Sequence, residues 1–298
     1  MAIDQTRRDA DGSEPLPAGT ESPHLGPGER EQAAAHAPLR ALVIHEVLRD
    51  EGEFELRRPP AALLWSGLAA GLSMGFSFLT LALLQAYLPD QPWRRVLASF
   101  GYSVGFVIVV LGKQQLFTET TLTAMLPVFY QPRWKSVGIL LRMWAIVLVA
   151  NIAGTIAFAF LLSSHDLFNP EVRQSLLSIA GASISNGFVP TILKAMLAGW
   201  MIALMLWVLP SAESAGLFVI VLMTYVIGLG HFSHIIAGSA EAAFAVFAGA
   251  AGVGDYFTQF FVPTILGNLF GGVALAGLLN HAPVAHEIAA KDSEHSET

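Results

Sequence analysis

The chain has 298 residues, of which 54 % are hydrophobic and 13 % charged, with a formal net charge of −7 and a mean hydropathy of +0.56. Soluble domains average about 25 % charged residues; here the charge is gathered in roughly the first 60 and last 18 residues, around a nearly continuous apolar middle. That is the pattern of a polytopic membrane protein, with acidic tails that give no reason to expect a nucleic-acid partner. Cysteine is absent, which excludes disulfides, thiolate metal sites and thiol catalysis. There is no metal-ligand cluster, nucleophile–base pair or nucleotide loop, so neither an enzyme nor a cofactor is expected. Transport would be passive or proton-coupled.

Residues 1–32 are rich in Pro, Gly, Asp, Glu and Arg and are expected to be a disordered polar tail. They contain no apolar signal-peptide core, so the first span is expected to direct insertion. In residues 33–60, Leu39, Leu42, Val43 and Leu48 recur among charges. Their spacing fits an amphipathic juxtamembrane helix on the membrane surface or against the bundle, or a partly helical linker.

A spanning helix needs about 20 apolar residues. The first span covers about 61–88 and carries Gly67, Gly71 and Gly75, small residues that let helices approach closely in lipid. The second runs from about 96 to 111, meets the polar stretch 112–120, and resumes to about 130. Its length and central polarity predict two half-helices joined by irregular backbone, which is tolerated at membrane depth only beside protein or a water-filled cavity. The third covers about 137–162, and a linker follows at about 165–187 with its own short apolar stretch. The fourth covers about 188–209, with Lys194 placed to snorkel to the interface. The fifth, about 214–251, is interrupted at 228–241 by His231, His234, glycines, serines and Glu241. The sixth covers about 257–279, and residues 281–298 form a polar tail.

Six spans put both termini on one side, and the Lys/Arg distribution favours the cytoplasm. The two halves look alike: Asn151-x-x-Gly154 recurs as Asn268-x-x-Gly271, and the second and fifth spans are both broken. Three helices repeated must be inverted, and paired interruptions point to a midplane site. The expected fold is an all-α membrane protein, with a transmembrane domain at 61–280 made of six helices in two inverted three-helix repeats.

Ionisable groups inside a bilayer are rare and usually functional. His234, at the fifth-span break, is the first candidate. His231, three residues earlier, is either a second polar pore residue or bonded to a loop carbonyl. Lys113 and Glu119 bracket the second-span break, and Glu241 follows the other. Lys113 either attracts anions or forms a buried ion pair with Glu119 or Glu241. Asn151 and Asn268 are expected to bond the broken backbone.

Several motifs occur in order over about residues 61–280: Leu116-Phe-Thr118; Trp144 with Asn151 and Gly154; Phe232-x-His234 with Ile236-Ala237; and Val262-Pro263 with Gly267-Asn268 and Gly271-Gly272. Together they resemble the formate/nitrite transporter family, whose fold is aquaporin-like. The resemblance implies a homopentamer in the cell membrane (a bacterial inner membrane), with both termini cytoplasmic and one pore per protomer. Its solutes would be small monovalent weak-acid anions such as formate or nitrite. It also implies constrictions lined by Tyr102, Phe106, Leu116 and Ile227, with Phe117 and Thr118 beside His234. Gln115, Ser183, Gly199, Ser233 and Gly238 depart from the family pattern.

A bare anion loses its hydration in a dry constriction, whereas a protonated weak acid does not. Histidine can hold a proton near neutral pH, so His234 is expected to protonate the solute directly or through a polarised donor. The competing readings are a channel for a small neutral solute and a non-transporting membrane scaffold.

Overall fold

The computed structural model describes residues 24–35, 37, 39–130, 132–164 and 167–285. Most of both expected tails, residues 1–23 and 286–298, lies outside the described residues. Among those described, every regular element is helical. Within the stretch expected to be disordered, Pro27–Ala35 forms a short helix, α1. Helix α2, Ala41–Arg57, carries the charge ladder Arg49–Glu53 (2.6 Å) and Glu53–Arg57 (2.7 Å) at i,i+4 spacing, which supports a helix on its solvent side. Its other face buries Ile44, His45 and Leu48 against the bundle.

Helix α3 is Pro60–Tyr87. The second span divides into α4, Arg94–Leu111, then the break, then the short α5, Phe117–Thr123, and α6, Leu126–Tyr130. Helix α7 is Trp134–Leu162. The expected linker contains a helix, α8, Pro170–Ile184, which buries Val172, Leu176 and Ile179 and packs on α3 and on the helix that follows the fifth-span break. Helix α9 is Phe188–Val208, α10 is Gly216–Gly230, α11 is Ile235–Phe247 and α12 is Val253–Ala285. Among the described residues, five helices are long and apolar enough to cross a membrane, or six if α10 and α11, bent by 43° at their break, form one span.

The halves repeat down to single hydrogen bonds. Helix α3 packs on α7 as α9 packs on α12. A Cβ on Gly71 would run into the carbonyl of Asn151, and one on Gly199 into the carbonyl of Asn268. Glycine at these two crossings is what lets each helix pair close. The described N- and C-terminal ends meet on one face, where His45 Nε2 lies 2.8 Å from His281 Nδ1.

Candidate functional site: the paired helix breaks

Both long half-helices end the same way. Lys113 (φ 50°) and His231 (φ 48°) are the only non-glycine residues with positive φ among those described. Each takes the left-handed position that ends a helix. Lys113 N donates to Val110 O (3.2 Å) and Gln114 N to Val109 O (3.0 Å); His231 N donates to Gly228 O (3.2 Å) and Phe232 N to Ile227 O (3.0 Å). From there three residues lead the chain to a second helix start, with Leu116 and His234 in equivalent N-cap positions.

Irregular backbone in lipid needs partners, and one asparagine supplies them at each break. Asn151 Oδ1 accepts from Phe117 N (2.9 Å), and its Nδ2 donates to Gly67 O (2.7 Å) and Gln115 O (3.0 Å). Asn268 Oδ1 accepts from Ile235 N (2.8 Å), and its Nδ2 donates to Ala195 O (2.8 Å) and Ser233 O (2.9 Å). Trp144 Nε1 adds a bond to Thr120 O (3.1 Å) beneath α5.

The two breaks meet at the centre. Thr118 Oγ1 lies 2.8 Å from His234 Nε2, and His234 Nδ1 accepts from Ala237 N (3.2 Å), capping α11. A neutral imidazole has one donor and one acceptor nitrogen. With Nδ1 accepting, the hydrogen-bond network assigns the proton to Nε2, which donates to Thr118. The Phe106 ring stands edge-on to His234 with centroids 5.0 Å apart, and Tyr102 lies 5.5 Å beyond Phe106. Phe106, Leu116 and Ile227 are fully buried, and Phe117, Thr118, His234 and Tyr102 are nearly so.

Cavities approach this pair from opposite faces. The larger, about 450 Å³, lies under α2 and is lined by Glu51, Glu55, Arg58, Lys113, Gln115 and Glu119 among others. The smaller, about 40 Å³, lies beside α8 and includes Tyr102, Ile227, His231, His234 and Glu241 in its wall. Phe106, Leu116, Phe117 and Thr118 lie on neither wall.

Of the two readings of Lys113, the buried ion pair with Glu119 or Glu241 is not formed among the described residues. Lys113 is 81 % exposed and its nearest acid is Glu51, at 3.4 Å. Lys113 shares the larger cavity with Glu119, but neither Glu119 nor Glu241 forms an ion pair with it. His231 is exposed at the rim of the smaller cavity. Lys194 donates to Asn186 Oδ1 (2.6 Å), in that cavity's wall, instead of ending free at the interface. The Phe260 ring occupies the space a side chain at Gly238 would need.

Sequence reasoning missed the docking of α2 on the second-span break. Gln115 Nε2 donates to Glu55 Oε1 (2.9 Å), Thr123 Oγ1 to Glu55 Oε2 (2.6 Å), and Arg58 Nη1 to Gln115 Oε1 (2.5 Å). Gln115 N also donates to Ser66 Oγ (2.9 Å). Burial pushes the Glu55 carboxyl up to about 7, against the opposing pull of the Thr123 and Gln115 hydrogen bonds. The available signal was the spacing of Glu51 and Glu55, which share one face of α2, with Arg58 just beyond its end.

The model of the formate/nitrite transporter family matches residues 42–282. The inner membrane protein YfdC of Escherichia coli K12 is 41 % identical over 254 residues, covering 85 % of this chain and 82 % of that protein. The formate channel FocA of the same strain is 22 % identical over 266 residues, covering 80 % and 92 %. Among solved structures, an FNT family ion channel superposes with a TM-score of 0.70 at 19 % identity, over 79 % of this chain and 96 % of that one. A pentameric formate channel with formate bound gives 0.61 at 18 %, over 74 % and 95 %. At those identities the structural likeness speaks for the fold alone.

Proposed function

The chain belongs to the formate/nitrite transporter family, and from that premise we propose that it passes small monovalent weak-acid anions such as formate or nitrite, which cross the centre as neutral acids. The observation that carries this reading is the Thr118–His234 pair, buried between two cavities that open on opposite faces. An anion in either cavity keeps some hydration; at Phe106 and Leu116 it would lose it, at a cost far above that of the neutral acid. His234 Nε2–H donates to Thr118 Oγ1, which leaves the Thr118 hydroxyl proton as the donor facing a solute. The pair therefore holds and polarises the solute as it crosses the centre in its neutral form.

By analogy with the pentameric formate channel, five copies would assemble with one pore each. The terminal face, with α2 over the larger cavity, would be the cytoplasmic side of the cell membrane, as the Lys/Arg distribution favours.

The test is formate and nitrite flux into proteoliposomes at several pH values, beside His234→Asn protein. The expected result is flux that rises as pH falls and collapses in the variant. An assembled variant that transports and responds to pH as the parent does would overturn the role given to His234. One observation favours a second reading: Glu51, Glu55 and Glu119 line the larger cavity, an acidic wall that suits a neutral solute. If formate and nitrite do not cross, neutral solutes of similar size are the next to measure.

A further inference from the structure

The carboxyl groups of Glu119 and Glu241 take no part in the central pair, yet each stands beside it on a different side. Glu119 directly follows Thr118 and lines the larger cavity. Glu241 lies two helical turns beyond His234 on α11, about 10 Å along the axis, and lines the smaller cavity that His234 also lines. Neither forms an ion pair among the described residues. Glu119 Oε1 is buried without a hydrogen-bond partner, and the nearby cation, Lys113, is taken by Glu51.

His234 has no proton to spare. Its Nδ1 caps α11 through Ala237 N, and its Nε2–H is directed at Thr118. Releasing that proton would leave an imidazolate, and adding a second on Nδ1 would break the cap. If the solute becomes neutral before the constriction, its proton comes from another group in the cavity wall.

Resting on the weak-acid reading above, we propose that Glu241 and Glu119 are the proton-exchange groups at the two approaches to the Thr118–His234 pair. On the side of entry, the carboxyl O–H breaks and an O–H forms on the anion, leaving a carboxylate. The neutral acid passes the pair. On the far side the other carboxylate takes the proton back and the anion departs. Each carboxyl is then reset from the water of its own cavity, so one proton crosses with each anion.

The groups around each carboxyl differ. Glu241 shares its cavity with Tyr102, His231 and His234. Lys194 and Arg95 act electrostatically on His231 at the rim, and the Tyr256 hydroxyl donates to Ser239 on the same helix as Glu241 (3.0 Å). Glu119 faces Glu51, Glu55, Arg58 and Lys113. The two exchange steps therefore answer separately to the pH on their own sides.

The experiment is formate flux in proteoliposomes sorted by orientation, with pH varied on one side and held on the other. The proteins are the parent, Glu241→Gln, Glu119→Gln and the two Asp variants. Glu241→Gln is expected to slow flux about 100-fold, the low end of what a positioned acid contributes. It should also flatten the response to pH on the α8 side while leaving the response on the α2 side. Glu119→Gln is expected to do the reverse, and Asp to restore a shifted profile in each case. Assembled variants that keep both pH responses would overturn the proposal and leave the weak-acid reading standing. If a Gln variant does not assemble, the Asp variant decides the same question: a shifted profile supports the proposal, and an unshifted one overturns it. Parent liposomes that pass neither formate nor nitrite at any pH would overturn both.

Discussion

Replacing Asn268 by alanine removes the amide that holds the fifth-span break. Three main-chain groups lose their partner: Ile235 N, Ala195 O and Ser233 O, bonded at 2.8, 2.8 and 2.9 Å. The Asn268 backbone itself lies at the packed crossing with Gly199. In soluble proteins each orphaned buried group costs about 1–3 kcal/mol. In membranes the unfolded helices find other partners, and measured side-chain hydrogen bonds average about 0.6 kcal/mol. Three groups at the membrane value lose about 2 kcal/mol, and at the low soluble value about 3 kcal/mol. The expected loss is therefore about 2–3 kcal/mol. Asn151→Ala should match it, because the same three bonds recur there at 2.9, 2.7 and 3.0 Å. Asn268→Asp keeps the acceptor for Ile235 N but turns an oxygen on two carbonyls, so it should lose at least as much. The assay is unfolding of the detergent-solubilised protein in graded SDS, followed by tryptophan fluorescence. An Asn268→Ala protein as stable as the parent would refute the bracing role, and a large loss in only one of the two alanine variants would refute the equivalence of the breaks.

Glu55 titrates near 7 in the folded protein, against an ordinary 4.5. A carboxyl raised by folding contributes stability that is fully present below its unfolded pKa and lost as pH rises through the folded one. Protection of the α2 amides, corrected for the intrinsic pH dependence of exchange, should therefore fall between about pH 4.5 and 7, and Glu55→Gln should remove that fall. His231→Gly relieves a left-handed strain of about 1–2 kcal/mol against a glycine entropy cost of about 0.5–1 kcal/mol, so it should raise thermal stability slightly. Lys113→Gly should gain less, because it also loses the exposed contact with Glu51. Thr118→Val leaves His234 Nε2–H without its partner and removes the donor hydroxyl; flux should be lost in assembled protein, whereas Thr118→Ser should keep most of it.

The spans are legible in the sequence because lipid forces about 20 apolar residues on every crossing helix, and the breaks because polar residues at their centres have no other use there. Asn151 and Asn268 are readable for the same reason; in the structure each bonds backbone groups at a break. The meeting of Thr118 and His234 is less accessible, since it joins residues 116 positions apart; the family resemblance supplies it. What the sequence does not carry openly is side-chain direction. Lys113 stands near Glu119 in the chain, but its side chain meets Glu51 instead. The contacts of Glu55 and Arg58 with Gln115 depend on how α2 folds back over the bundle, which hydrophobic spacing does not encode. Helix α8 reads as a linker because its apolar stretch is too short to cross a bilayer, although it is long enough to pack against α3 and α11.

The most direct measurement is the charge carried with each solute molecule. Proteoliposomes loaded with a pH-sensitive dye are given a formate gradient, and internal acidification and membrane potential are recorded together. One proton entering per formate, with no potential developing, is the result expected if the solute passes the Thr118–His234 pair as a neutral acid. Formate entry that builds a negative internal potential without matching acidification would mean that the bare anion crosses, and would contradict it.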